Sequence, residues 1–409
     1  MSFNFVSNIV TSSKVGRRQS STRIGAATSR ASLDKPGVVF TMRYPDDTGY
    51  VWNFTAAIRD LASADLREHA NVYMAFPKLS GNPSYRPQHL EPVELNCYDM
   101  TLAGRAAIEQ FVRAHNVKIM VFMSALSNTV CLGLLRRLGV RTINTENDSF
   151  DPRQRDGFFK KIAKIVVRRV LRMQQHDLHL ANSIAQEQFL LNYQHLPRDK
   201  VILMRNSVDS AKFHPGDRAE ARAQLGLDQD RFWILAVSQA RAEKRIDCLL
   251  RVMRTVIDAR PDKPIGFIYV GDGAPAMQWR QLAKELGLGE SCIFAGRQDE
   301  LLPYYRAANL FVHAAERESF GNAIVEAMAC GIPVVASAAL GPKETILDGK
   351  TGALIGLDDF AGFTQAVLCY VDDPEMAKMH GNNARAHVDT AYNVVRQSKE
   401  FAAHIQRFL

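Results

Sequence analysis

Short runs of nearly unbroken apolar residues, each followed by a stretch with helical periodicity, recur in two series along this chain and limit what it can become. GVVFTM (37–42), NVYMAF, VKIMVFM, VRTIN and DLHLAN form the first series, and the alternation restarts after DKVILMRNSVD. RFWILAVS, PIGFIYVG, SCIFAG, NLFVHA, IPVVAS and GALI form the second. A strand reads as continuous apolar sequence when helices cover both faces of its sheet, as in parallel α/β architectures. Two series predict two doubly wound α/β domains. The length of 409 residues, too great for one ordinary core, points the same way. Pro215 and Gly216 interrupt the pattern, which sets the expected boundary near 210. The expected organisation is an arm at 1–35, an N-terminal domain at 36–209, a C-terminal domain at 210–390 and a closing helix within 391–409 that packs back on the first domain.

Charge is concentrated rather than spread. Residues 1–33 carry Lys14, Arg17, Arg18, Arg23 and Arg30 with no acid, and residues 153–172 hold eight Lys or Arg against the single Asp156. These two segments exceed the net charge of +8, so the remainder is mildly acidic. That distribution argues against a nucleic-acid binder. The Ser- and Arg-rich arm reads as disordered, with a transit peptide as the other reading. Within 155–173, Phe158, Phe159, Ile162, Ile165, Val166, Val170 and Met173 fall on one helical face, and Lys160, Lys161, Lys164, Arg168 and Arg172 on the other. The basic face is either an ordinary solvated surface or a tether to an anionic membrane surface. No run approaches the length of a membrane span. The six cysteines are scattered, with no C-x-x-C pair, which suits free thiols in a reducing cytoplasm.

The stretch ERESFGNAIVEAMACGIPVVAS (316–337) carries the most chemistry. A strand ends before it, Gly321 sits in a short loop, and a helix is expected from a cap at Asn322 to Gly331, with Pro333 opening the next strand. The first turn of such a helix offers free backbone N–H groups at the carboxyl edge of the sheet, where phosphates bind. Glu318 falls in the loop and Glu326 one turn into the helix. An acid among Ala323, Ile324, Val325, Ala327 and Met328 needs a partner, and a ribose or sugar diol supplies two hydroxyl donors. His313 ends a strand and reads as a satisfied core histidine. The acid pairs Asp46-Asp47, Asp358-Asp359 and Asp372-Asp373 form no D-x-D metal site, so no essential metal is expected. No G-x-G-x-x-G follows either domain's first strand, which argues against a nicotinamide oxidoreductase.

This segment resembles the donor-site signature of the retaining glycosyltransferase family 4, E-x(7)-E followed by E-A-x-A-x-G-x-P-V. NSVDSAKFHP (206–215), with Ser207 in place of a glycine, VGDGAP (270–275), 293–321 and GPKETILDGKTGALI (341–355) follow the family order. The resemblance implies a GT-B fold, with two Rossmann-like domains facing across a cleft. It also implies transfer of a sugar from a nucleotide diphosphate with retention at the anomeric carbon, the nucleotide sugar being co-substrate rather than resident cofactor. By resemblance Glu326 binds the donor ribose and Glu318 the sugar hydroxyls. Phe320, Gly321 and Asn322 meet sugar and diphosphate through their backbone, and Arg297 frames the base. Lys244 offsets the leaving diphosphate. The family's arginine before that lysine is Gln239 here, and whether Arg241 takes its place stays open. Gly49 alone represents the family's Gly-Gly loop after the first strand. Glu146 or Asn147 replaces a histidine that many members carry, or the loop is purely structural.

Three functional readings stand. The first is a transferase acting on a lipid-linked or cell-surface glycan, cytoplasmic and peripheral at the inner face of the membrane. The second is a soluble transferase for a small metabolite or glucan. The third is a degenerate GT-B module that binds without turnover.

Overall fold

The computed structural model describes residues 34–125, 130–147, 162 and 175–409. The arm at 1–33 and the basic segment 155–173 lie outside the described residues, apart from Ile162. Periodicity put Ile162 on the apolar face, and it is 42% exposed.

Two parallel sheets organise the rest. The first contains β1 (Gly37–Thr41), β2 (Asn71–Phe76), β3 (Glu91–Glu94), β4 (Val117–Met123), β5 (Arg141–Glu146), β6 (Leu178–Ala181) and β7 (Val201–Leu203), in the order β3-β2-β1-β4-β5-β6-β7. The second contains β8 (Phe232–Val237), β9 (Ile265–Val270), β10 (Cys292–Gly296), β11 (Leu310–His313), β12 (Val334–Ser337) and β13 (Gly352–Ile355), in the order β10-β9-β8-β11-β12-β13. Each order reverses once, between β1 and β4 and between β8 and β11. The loops leaving those strands diverge there and open a crevice at the carboxyl edge. Strands β1, β9 and β12 are buried at every position, so both faces of their sheets are covered. That burial is why their sequences are apolar without alternation.

Periodicity did not reveal β3. Its sequence EPVE is mostly exposed and carries a proline, which an edge strand tolerates because one side of its backbone needs no ladder partner.

The helix Val394–Gln406 follows the C-terminal domain in sequence but packs on the N-terminal one. Phe401, Ala402 and Ile405 join the core formed by Val38, Phe40, Val72 and Ile119. The rings of Phe40 and Phe401 lie 5.8 Å apart. At the crossing between domains, Val208 N–H donates to Tyr392 O at 3.0 Å, and Val208 bridges Asn393. Further ties are Arg205 Nε to Glu344 Oε1 at 2.8 Å, Ile184 N–H to Glu344 Oε2 at 2.8 Å, and Asn206 Nδ2 to Asn322 Oδ1 at 3.1 Å.

Removing the Phe401 ring leaves a cavity in the first domain's core rather than in the domain that precedes it in sequence. Phe401→Ala should cost about 3–5 kcal/mol. In a denaturant titration the loss should fall on a probe in the N-terminal domain. An effect confined to the C-terminal domain would show that this helix contributes nothing to the first core.

Candidate active site

The carboxyl edge of the second sheet brings together loops that are far apart in sequence. After β8 the chain runs through Ser238–Arg241 into a single helical turn, Ala242–Lys244. After β11 it runs through Ala314–Phe320 into the helix Asn322–Ala329. These are the two strands between which the order reverses, so their loops flank the crevice. Glu316 N–H donates to Glu243 O at 2.9 Å, and Arg245 Nη1 reaches Glu316 Oε1 at 2.5 Å and Asp358 Oδ1 at 3.1 Å, which sews the loops together. Arg245 holds a φ of +53°, a strained conformation for a residue with a side chain, supported here by those carboxylates. The neighbouring loop after β9 approaches closely as well. A Cβ at Gly271, whose φ is +153°, would stand 1.8 Å from Ser238 O, so only glycine fits.

Lys244 Nζ donates to Glu318 Oε2 at 2.7 Å, with both side chains mostly buried. His313 Nε2 lies 3.3 Å from the same oxygen, but off the line of a hydrogen bond, so this buried ring nitrogen has no hydrogen-bond partner. His313 is therefore buried as the sequence suggested but not satisfied as a core histidine would be. The strand end and the loop that doubles back bring it against Glu318. Burial would push the Glu318 carboxyl up, but the Lys244 ammonium outweighs it and holds it well below the ordinary carboxylate range. Burial also lowers the His313 imidazole, beyond what Glu318 restores, so the ring is neutral beside an ionised carboxylate. The result is a fixed carboxylate, a cation and an unpartnered ring nitrogen at one point of the crevice.

Gly321, with φ of +95°, is the residue that turns the chain into the helix, and Asn322 is its first residue rather than its cap. The difference arises because the Asn322 side chain is engaged elsewhere, with Asn206 of the other domain. Phe320 is buried. A Cβ on Gly341 would stand 2.6 Å from Phe320 N, and Gly341 N–H donates to Glu318 O at 2.9 Å, so the GPKE stretch packs on the backbone of the site loop.

Glu326 has a protein partner, Tyr305 Oη, which donates to Oε2 at 2.7 Å. It also lines a recess between the domains with Ser207, Asp209, Phe213 and Asn322. Arg297 lies exposed just past β10, 3.5 Å from Asp299. Arg241 is exposed at the start of the turn that ends in Lys244. Gly49 is the first residue of the helix Gly49–Leu66 in the N-terminal domain. Glu146 Oε1 accepts from Asn144 Nδ2 and contacts His179 Nδ1, both at 2.7 Å, which commits it to that domain's interior. Asp359 and Asp373 cap helices by accepting from Gly362 N–H and Met376 N–H, and Asp372 pairs with Arg260 and Lys263. Among the described residues no group of three or more His, Cys, Asp or Glu could hold a metal, and no helix is long and apolar enough to cross a membrane.

Reasoning from sequence missed the role of Arg245 and Glu316. Their signal was the charge flanking each motif residue, EKR around Lys244 and ERE around Glu318.

Burial raises the Glu326 carboxyl to about 7, and the Tyr305 hydrogen bond and Lys212 only partly offset it. Its ordinary value is 4.5. Between the two the folded state keeps a proton that the unfolded chain has released, so stability falls as pH rises through that window. The penalty is absent below it and complete above. Glu326→Gln should therefore be more stable than the parent at pH 8 and equal to it near pH 4.5. Melts across that range check this, and a difference that does not change with pH would contradict it.

Residues 217–387 match the family model described as glycosyl transferases group 1. A curated relative, the D-inositol 3-phosphate glycosyltransferase of Streptomyces avermitilis, is 30% identical over 223 residues, which cover 52% of this chain and 48% of the relative. The chain thus spans about half the length of the curated relatives it matches. Among solved structures, sucrose-phosphate synthase from Thermosynechococcus elongatus superposes with a TM-score of 0.72 at 22% identity, covering 91% of this chain and 99% of that one. Anabaena HepE in complex with UDP-glucose gives 0.72 at 18% identity, covering 91% and 100%. These likenesses extend over both domains and establish the GT-B fold.

Proposed function

We propose that this chain, whose residues 217–387 match the family model of the glycosyl transferases group 1, moves a sugar from a nucleotide diphosphate to an acceptor with retention at the anomeric carbon. The observation that carries the reading is the meeting of Lys244, Glu318 and His313 at the strand-order reversal, with Glu326 one turn into the helix that follows. In this reading the ionised Glu318 orients the donor sugar's hydroxyls, and His313 offers its free ring nitrogen to the same sugar. The backbone of Phe320, Gly321 and Asn322 lies against sugar and diphosphate. Glu326 takes the ribose and Arg297 stands by the base. Lys244, with Arg241 at the outer end of its turn, faces the leaving diphosphate, where negative charge grows in the transition state. The protein's own cation fills that role, so the reaction needs no metal. HepE, with a similar fold, was solved with UDP-glucose, which makes UDP-sugars the first donors to try.

For the acceptor, a lipid-linked or cell-surface glycan is supported by the cluster of Lys and Arg within 155–173, which would hold the enzyme at an anionic leaflet. The name of the curated relatives favours a second reading, a small phosphorylated metabolite.

Lys244→Ala should lower kcat by about two to three orders of magnitude with little change in donor affinity, because the charge it meets is largest in the transition state. The assay is turnover in the presence of EDTA, with melting curves alongside because the variant strips Glu318 of its cation. A rise in donor KM at unchanged kcat would assign Lys244 to ground-state binding, and loss of parent activity in EDTA restored by Mn²⁺ would refute the metal-free mechanism.

The membrane reading predicts sedimentation with anionic vesicles that weakens steeply with salt, since the Debye length is about 8 Å at physiological ionic strength. Replacing Lys160, Lys161, Lys164, Arg168 and Arg172 by Gln should abolish it. Equal binding to neutral vesicles would count against a charge tether.

A further inference from the structure

Away from the donor domain, the carboxyl edge of β5, β6 and β7 carries a pocket with an unusual floor. Arg59, Asn182 and Ser207 line it, with Asn147, Arg205 and Asn206 at its sides. The first three are only 2%, 3% and 8% exposed. Each also has a buried polar atom with no hydrogen-bond partner: Arg59 Nη2, Asn182 Oδ1 and Ser207 Oγ. Three residues that each carry an unmet polar atom thus line one pocket.

Arg59 is the decisive member. Its Nη1 donates to Thr41 O at a long 3.4 Å and otherwise faces sulfur, Met42 Sδ at 3.1 Å and Met74 Sδ at 3.9 Å, while the guanidinium carbon lies 5.6 Å from the Phe40 ring centre. No acidic side chain among the described residues pairs with it. Its neighbour Asp60 points elsewhere, accepting from Tyr85 Oη and from Gln88 and His89 N–H. Burial draws the guanidinium down to about 10, which leaves it charged at neutral pH. Removing one partner of a buried ion pair leaves a charge whose burial is strongly unfavourable. Ordered water would satisfy a hydroxyl or an amide, but it brings no countercharge to a cation.

We propose that this pocket binds an oxyanion, the phosphate or carboxylate group of a small molecule, with Arg59 as counter-cation and Ser207 as hydroxyl donor. The Arg59 fork matches the planar or tetrahedral oxygens of such a group. Ser207 stands where the resemblance leads one to expect a glycine, so this chain has added a hydroxyl at the pocket. Asn182 completes the wall, its amide able to present either end. The occupant would also lie beside Arg205 and Asn206, the residues that contact Glu344 and Asn322 of the other domain. The proposal rests on these atoms and holds whether or not the second domain transfers a sugar.

The test is a thermal-shift and calorimetric titration of the full chain with inorganic phosphate and with acetate, against chloride at matched ionic strength. One of the two anions should raise the melting temperature by about 3 °C at a concentration tenfold above Kd. A stronger response to phosphate assigns a phosphate ester as the natural group, and a stronger response to acetate a carboxylate. Arg59→Met should abolish the response and, without anion, melt at or above the parent because an uncompensated charge is gone. Ser207→Ala should weaken the anion about tenfold, the worth of a hydrogen bond to a charged group. Lys244→Ala should keep the response, which separates this pocket from a phosphate held at the donor site. No response to either anion, or one lost in Lys244→Ala and kept in Arg59→Met, overturns the proposal. Should Arg59→Met fail to fold, unchanged affinity in Ser207→Ala overturns it as well.

Discussion

The C-terminal domain is organised around one carboxylate. Glu318 lies where the strand order reverses, and its charge is out of water only because Lys244 supplies a cation from the opposite side of the reversal. Burial by itself would neutralise the acid, so the loop after β8 and the loop after β11 depend on each other for their conformations. The same dependence extends outward through Glu243, Glu316 and Arg245, and through the Gly341 N–H that meets the Glu318 carbonyl. Paired buried charges of this kind add little net stability compared with well-packed apolar groups. What this pair fixes is the relative position of two loops, and that is what a reacting centre needs.

A second set of polar contacts fixes the domains at their crossing. Just past the crossing, within the C-terminal domain, Arg385 donates to Phe213 O at 2.9 Å and Ala329 O at 2.7 Å, placing a cation at the C-terminal end of the helix that bears Glu326. Glu344 uses both oxygens on the other domain, one on Arg205 and one on the backbone of Ile184, while its own carbonyl accepts from Tyr392 Oη at 2.9 Å. The GPKE stretch, which follows the family order in sequence, thus works in the structure as a brace. It presses Gly341 on the site loop at one end and holds the partner domain at the other.

Much of this was legible in the sequence because buried parallel strands leave an unmistakable mark. Every apolar run named from the sequence became a strand, and the edge strand β3 escaped because exposure removes the mark. The Glu318 loop and the Glu326 helix could be placed because Gly321 and Gly331 bracket the helix with backbone conformations that favour glycine. Side-chain partnerships were not legible. Nothing in NLFVHA says that His313 meets Glu318 without a hydrogen bond, and nothing in AAIRDL says that Arg59 turns inward while Asp60 turns away. Such facts depend on contacts across tens of residues, and residue type alone does not encode them. Tyr305 as the partner of Glu326 belongs to the same class.

The helix Val394–Gln406 has a consequence for how the molecule is made. Its apolar face belongs to the first domain's core, yet the ribosome reaches it only after the whole second domain. At synthesis rates of about 5–20 residues per second, the roughly 200 residues between β7 and Phe401 take on the order of 10–40 s. Through that interval the surface around Phe40 and Ile58 stays uncovered, long after its own strands have emerged. The second domain closes its sheet with no such debt. In the cell the later domain is then the first to be finished, and the earlier one waits, exposed to chaperones, for the last helix to arrive.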